Sequence, residues 1–175
     1  MGISVIIPHY PFNEEIDNKL KRCIESLNGY DELIVVVNNG TGFAKAVNQG
    51  LKLAKGDYIM VVNNDIEWKS GSLSDLCIEG SVTSPKVNGQ AQPFWGSFFC
   101  IPRKVYEEVG GLDEQFEIGY YEDEDYIKRL EQAGIMMLCN GSCGIWTLGG
   151  TTMNQFNRDE ILEKNRIKFE AKWKI

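Results

Sequence analysis

Short runs rich in β-branched residues alternate with helix-spaced apolar stripes over the first part of the chain. Ile3 to Ile7, Leu33 to Val37 and Asp57 to Val62 are such runs, the last stopping at Asn63-Asn64-Asp65. Runs this brief suit strands buried on both faces, as in a parallel sheet, better than independent helices. Between them, Asn13 to Leu27 places Ile16, Leu20, Cys23, Ile24 and Leu27 on one helical face, and Phe43 to Ala54 reads as a helix stopped by Gly56. Strand, helix, strand, helix, strand at this spacing predicts right-handed βαβ crossovers, so the fold class is α/β with a Rossmann-like N-terminal half and a central, mostly parallel sheet flanked by helices.

The later pattern is less regular. It predicts a short helix over Ser72 to Ile78, strands over Ser81 to Val87 and Phe94 to Ile101, and a helix from Pro102 to Val109 closed by Gly110-Gly111. A helix follows from Glu122 to Ala133, then an apolar stretch Ile135 to Cys139, a last strand near Gly144 to Leu148, and a terminal helix Asn157 to Trp173 with Leu162, Phe169 and Trp173 along one side. No repeat, low-complexity stretch or linker interrupts the 175 residues, a length that suits one domain.

Charge and composition narrow the partners. A net charge of −7 argues against a nucleic-acid backbone, which demands clustered Lys and Arg. No stretch has the apolar length of a membrane span, and the opening Met1-Gly2-Ile3-Ser4-Val5 lacks a basic leader, so it reads as a first strand and the chain is expected in the cytoplasm. The five cysteines, an odd number, agree with a reducing compartment; Cys139 and Cys143 have no neighbouring Cys or His to complete a zinc site.

Candidate chemistry lies in two acidic stops. In parallel sheets ligands bind beyond the carboxyl ends of the strands, where Asn63-Asn64-Asp65 falls. Hard cations take oxygen ligands, often one or two carboxylates together with substrate phosphates, yet Asn and Asp also simply end strands; alone, the triplet reads as a turn. The second stop, Glu122-Asp123-Glu124-Asp125, opens a helix and on its own reads as a solvated acidic helix start.

Six segments in order carry more information. Ser4-Val5-Ile6-Ile7-Pro8-His9-Tyr10, Gly42-Phe43-Ala44-Lys45-Ala46-Val47-Asn48-Gln49-Gly50, Gly56 to Asp65, Gly96-Ser97-Phe98 through Arg103, Val109 to Phe116 and Glu122-Asp123-Glu124-Asp125 resemble the ordered blocks of family two glycosyltransferases. The resemblance spans Ile3 to about Leu148 and implies a GT-A fold, a nucleotide-sugar donor (UDP- or dTDP-), Mn²⁺ or Mg²⁺, and inversion at the anomeric carbon. The Asn-Asn-Asp form of the metal motif also looks like rhamnosyltransferase-type members. It implies a single domain over 1–175, with 1–65 as nucleotide-binding half and 66–175 as acceptor-binding half.

Residue by residue, the resemblance implies Asp65 as metal ligand and Asp123 as general base. A first helical turn suits a carboxylate, because the positive end of the helix dipole favours its ionised form. Glu122 and Asp125 would orient the acceptor by accepting hydrogen bonds, Asp125 having helix capping as its other reading, and Trp95 and Gly96 would border the place where acceptor and donor sugar meet, a core tryptophan being the alternative for Trp95. Pro8, His9, Tyr10, Asn38, Asn48, Asn63 and Asn64 are the donor-binding candidates, with the Asn38 amide oxygen accepting from a uracil or thymine N3–H. His9, the only histidine, is a contact rather than a catalyst.

Three departures stand out. The stretch Val37 to Gly42 is much shorter than in the family, Val47 replaces a residue that is often basic, and Thr147 stands where a His often completes the metal site within Ile145 to Thr152. Glycan, lipid-linked sugar and protein all remain open as acceptors. The basic, aromatic end Arg166 to Trp173 has two readings, a core-packing helix or peripheral contact with a membrane. The rival functions are a sugar-phosphate nucleotidyltransferase, which normally has a Gly-rich, Arg-containing loop absent from Pro8-His9-Tyr10-Pro11, and a non-catalytic nucleotide-sugar or glycan-binding module of a larger protein.

Overall fold

In the computed structural model, which describes residues 1–149 and 156–175, strand β1 (Ile3–His9) is buried along its whole length. It lies between β2 (Glu32–Val37) and β3 (Tyr58–Val62), both parallel to it, which is why its sequence carries no exposed polar face. Helix α1 (Glu14–Ser26) connects β1 to β2; Asn13 caps it by accepting from the Ile16 N–H at 3.0 Å, and Glu14, Glu15 and Asp17 fill its first turn. Helix α2 (Phe43–Leu53) connects β2 to β3. It packs close to β1: a Cβ on Gly50 would lie 2.3 Å from Ile6 Cγ2. The βαβαβ unit expected from the pattern is thus present.

Beyond β3 the sheet turns mixed. Strands β4 (Ile66–Ser70), β5 (Ser81–Val87), β6 (Phe98–Pro102) and β7 (Met136–Thr147) extend it to seven strands in the order β2-β1-β3-β6-β5-β7-β4. Here β6 runs antiparallel to β3 and β5, β7 parallel to β5, and β4 antiparallel to β7. Helices α2, α3 (Arg103–Val109) and α4 (Glu122–Gln132) cover one face, where Val47, Leu51, Val105, Tyr126 and Leu130 bury against Ile6, Ile59, Phe99 and Ile101. On the other face Cys23 of α1 and its C-cap Leu27, with Leu73 and Leu76 of a single 3₁₀ turn, bury against Val5, Ile7, Met60 and Val62. Each such side chain contributes about 1.5–3 kcal/mol on burial.

Three expectations change at this level. The strand predicted from Phe94 starts only at Phe98, because the Trp95 N–H bonds Ser84 Oγ and the Phe98 N–H returns to the Trp95 carbonyl, turning 94–97 away from the ladder. The segment Ile66–Ser70, whose apolar residues are interrupted by Glu67 and Lys69 and which carried no strand signal, pairs with β7 as an edge strand. The two apolar segments near the end form one strand, broken in register opposite Pro85 and Lys86, where the pairing jumps from Asn140 to Gly144. Thr147 is buried, and its hydroxyl accepts from the Gly149 N–H. Gly150, Thr151 and Thr152, the end of that late block, lie outside the described residues.

The terminal helix α5 (Arg158–Trp173) docks against 113–125. Phe169 packs on Phe116 and Tyr121, Lys168 donates to the Gln115 carbonyl, and Lys172 bonds Asp113 and Asp125. Arg166 is paired with Glu163 and Glu170. The packing reading of Arg166 to Trp173 therefore accounts for its aromatic and basic residues. Among the described residues no helix is long and apolar enough to cross a membrane.

Candidate active site

Three parallel strands end at one edge, and their terminal polar residues share a cavity of about 250 Å³ with the start of α4. From β1 come Pro8, His9 and Tyr10, from the β2 turn Asn38, and from β3 Asn63, Asn64 and Asp65; from across the cleft come Gly96, Glu122 and Asp123.

His9 organises the strand-end side. The Asn64 amide donates to its Nδ1 at 2.9 Å, so the ring proton sits on Nε2 and is donated to Asp17 at 2.9 Å. One imidazole thereby ties α1 to the ends of β1 and β3. Asn64 spends its nitrogen on that bond, which turns its amide oxygen the other way. The neighbouring Asn63 is held by its backbone, its N–H reaching the Ser97 carbonyl at 2.9 Å, while its side-chain oxygen is buried with no hydrogen-bond partner among the described residues. A buried acceptor without a donor costs stability unless a ligand supplies one.

Asn38 differs from its sequence expectation. Its side-chain oxygen accepts from both the N–H and the hydroxyl of Thr41, at 2.8 and 3.0 Å, closing the turn into α2. Both lone pairs are in use, so only the amide nitrogen is left to meet a ligand, and that nitrogen donates.

The opposite wall is acidic. A Cβ on Gly96 would lie 3.0 Å from Asp123 Oδ2 and 3.2 Å from its Cβ, so any side chain here would crowd this carboxylate where it rests against the loop before β6. Glu122 is 8 % exposed, and its Oε2 is buried without a partner among the described residues. Burial, reinforced by the Asp123 charge, pushes its carboxyl up to about 8. Glu124 is raised to about 7, chiefly by its hydrogen bond to the Asp123 carboxyl and then by burial.

Three candidates fall outside the cavity. Asp125 is fully buried and faces α5: Arg129 Nε and Trp173 Nε1 bond it at 2.8 and 3.0 Å, and Lys172 pairs with it, so it neither meets an acceptor nor caps α4, whose N-cap is Tyr121. Asn48 bonds the Leu112 N–H and carbonyl at 2.9 and 2.8 Å and Glu114 at 2.9 Å; it ties α2 to the loop after α3 instead of holding a donor. Trp95 packs against the α1-side core, where Val87 and Phe98 also lie, in line with its core alternative.

The cavity also contains residues not among the sequence's site candidates: Gly42 and Phe43, which open a motif block, together with Gly40, Ile118, Gly119, Tyr120 and Phe156. The loop 117–121 had one usable signal, its place between two recognised blocks. Phe156 had none.

Among the described residues no three His, Cys, Asp or Glu side chains converge as metal ligands. The oxygen-rich β3 end nevertheless fits a hard cation that shares its coordination with a ligand's phosphates, the unsatisfied Asn63 oxygen being the structural sign.

The model for glycosyl transferase family 2 matches residues 28–77, from the loop before β2 to the 3₁₀ turn. No curated protein matches the sequence. Among solved structures, the chain is similar to mannosyltransferase PcManGT from Pyrobaculum calidifontis, in complex with GDP-Man and Mn²⁺, at 16% identity and TM-score 0.66, over 95% of this chain and 63% of that one. It is similar to the catalytic domain of Drosophila β1,4-galactosyltransferase 7 at 15% identity and TM-score 0.66, over 91% and 78% of the two chains. It is also similar to GalNAc-T7, crystallised with UDP, GalNAc and Mn²⁺, at 14% identity and TM-score 0.77, over 98% of this chain and 48% of that one. The fold is that of GT-A glycosyltransferases, and the resemblance to family two read from the motif blocks is borne out. The chain spans less than two thirds of the Pyrobaculum and GalNAc-T7 chains.

Proposed function

We propose that this chain of GT-A fold is an inverting glycosyltransferase that moves a sugar from a nucleoside diphosphate sugar, of the UDP or dTDP type, to an acceptor hydroxyl. The observation that supports it most is the single cavity shared by the β1 and β3 ends and by Glu122 and Asp123. It offers donor-side polar groups on one wall and carboxyls on the other.

In such a transfer Asp123 takes the proton of the acceptor hydroxyl as its oxygen forms a bond to the anomeric carbon, on the face opposite the leaving group. The bond from that carbon to the phosphate oxygen breaks, and the nucleoside diphosphate leaves with the electron pair. The Gly96 backbone and the loop 117–121 hold Asp123 at the cavity, and Glu122, protonated near neutral pH, donates a hydrogen bond to a sugar hydroxyl, whereas the sequence expectation had it accept one. Asn38 donates to a base carbonyl and does not read a base N–H. A divalent cation, when bound, supplies Lewis-acid neutralisation of the diphosphate; Asp65 with the amide oxygens of Asn63 and Asn64 would hold it.

The test is a panel of nucleotide sugars with and without Mn²⁺, scored for binding and for donor hydrolysis, on wild type, Asp65→Ala and Asp123→Asn. Expected are Mn²⁺-dependent binding that Asp65→Ala abolishes, and turnover that Asp123→Asn lowers by about 10²–10⁴-fold while binding persists. No binding of any nucleotide sugar would sink the reading. Because the chain spans only 63% and 48% of two solved relatives, the second reading is a donor-binding module, which predicts binding without turnover.

A further inference from the structure

The loop from Glu117 to Tyr121 builds part of the cavity wall with backbone in a conformation its side chains disfavour. Ile118, Tyr120 and Tyr121 have φ of 68°, 70° and 70°. Branched and aromatic residues enter this region only where the surroundings impose it, and such strain gathers at functional sites. Tyr121 is the N-cap of α4, so this turn decides where the next residues, Glu122 and Asp123, are presented.

One side chain addresses the backbone of this loop from outside. Asn165, midway along α5 and 1% exposed, donates through Nδ2 to the carbonyls of Glu117, Gly119 and Tyr120 at 3.0, 2.8 and 3.1 Å. Carbonyl oxygens drawn towards one point repel each other unless a donor sits between them, and the amide is that donor. From the α2 side the Phe43 N–H reaches the Ile118 carbonyl at 2.9 Å, and a Cβ on Gly42 would lie 3.0 Å from the Ile118 nitrogen. The loop is therefore clamped between α2 and α5. Of the other α5 contacts with this region, the Arg158 guanidinium lies 5.6 Å over the Tyr120 ring without touching the loop backbone, and Lys168, Phe169, Lys172 and Trp173 reach the flanking segments 113–117 and 121–125. These contacts do not involve Asn165, so the helix is expected to stay docked when that side chain is changed.

We propose that Asn165 is a positioning residue: it fixes the left-handed turn ahead of α4 and thereby sets the Glu122 and Asp123 carboxyls at the cavity. Its effect on turnover rests on the glycosyl-transfer reading; its effect on the loop does not. The experiment compares wild type with Asn165→Ala and Asn165→Asp, the second keeping the shape but replacing the donor with an oxygen. Hydrogen–deuterium exchange, thermal unfolding, Mn²⁺-dependent UDP binding and turnover with the nucleotide-sugar panel are measured on each. Amides of residues 118–124 are expected to exchange about tenfold faster or more, with those of β1 and β3 unchanged. UDP affinity should stay within about threefold, while kcat falls about ten- to a hundredfold with KM for the donor little altered, and Asn165→Asp is the more affected.

Unchanged loop exchange overturns the proposal, as does acceleration spread equally through the sheet, which is what mere loss of stability produces. Loop exchange that rises while kcat per folded molecule stays at the wild-type value overturns the catalytic consequence. If wild type turns over no nucleotide sugar, the glycosyl-transfer reading fails, and the exchange comparison alone upholds or overturns the role of Asn165.

Discussion

On the strand-end side of the cavity, His9, Asn38 and Asn63 each sit at or just past the end of an apolar strand of one parallel sheet, whereas Glu122 and Asp123 are presented by a strained loop held from a helix more than forty residues later in the chain. The first arrangement is local: once β1, β2 and β3 are in register, the terminal residues have nowhere else to go. The second is tertiary. Its polar groups are placed by α5, and the same acidic cluster divides its work, with Glu122 and Asp123 at the cavity and Asp125 buried behind them. Neighbouring carboxylates thus line a cavity and brace the fold within one helical turn, and only packing separates their places.

The comparison breaks most sharply at Asp125. Removing this buried carboxylate leaves Arg129 and Lys172, 20% and 29% exposed, without their shared counter-charge. Asp125→Ala is expected to destabilise the fold by about 3 kcal/mol, the low end for a broken buried pair because both cations keep some water. Urea unfolding checks the loss, and UDP binding per folded molecule should be unchanged. A variant of wild-type stability with weakened acceptor saturation would restore the sequence expectation for this residue.

That contrast also explains what was legible. Strand ends could be read because burial on both faces makes an apolar run and its polar stop visible in one dimension. Asp65 and Asp123 were reached only through the ordered blocks, since a turn and an acidic helix start look the same without context. Asn48, Asp125 and Trp95 lie away from the cavity for one reason: a polar or aromatic residue near a motif can face either way around its element, and the partner that decides lies elsewhere, Leu112 for Asn48, Trp173 for Asp125 and the α1-side core already offered as the alternative for Trp95. Strand β4 escaped because Glu67 and Lys69 interrupt its apolar residues at a sheet edge, where charge is tolerated. Asn165, a polar residue within a charged helix, gave no signal at all.

The acid wall is sharpened further by pH. Glu122 is held protonated to about 8 by burial, against an ordinary carboxyl value of 4.5. The folded chain therefore binds this proton more tightly than the unfolded chain, so the stability it contributes is complete below the unfolded value and is lost as pH rises through the folded one. Wild type should lose stability between about pH 4.5 and pH 8, and Glu122→Gln, which cannot ionise, should flatten that slope and be the more stable protein at pH 8.5 by about 2 kcal/mol, water from the cavity moderating the full linkage value. Melting temperatures of both proteins across this range decide it; parallel curves would mean that Glu122 is already ionised in the folded chain.

The strand-end wall gives the smallest expected effect, because there the fold and the proposed ligand would use different atoms of one side chain. At Asn38 the oxygen closes the turn with Thr41 and the nitrogen faces outward. Asn38→Asp keeps an oxygen for Thr41 and so leaves the melting temperature within a degree or so of wild type, but it replaces the outward donor with an acceptor. Loss of one hydrogen bond to a base carbonyl is worth about 1 kcal/mol, so UDP and dTDP should bind about fivefold more weakly. ADP, whose base has no carbonyl, should be unaffected, and calorimetric titration of the three nucleotides against both proteins makes the comparison. Tighter UDP binding by the aspartate variant would mean that the side chain reads the base N–H after all, with Thr41 giving up its bond when the ligand arrives. The strand-end wall would then be as dependent on rearrangement as the acid wall is on α5.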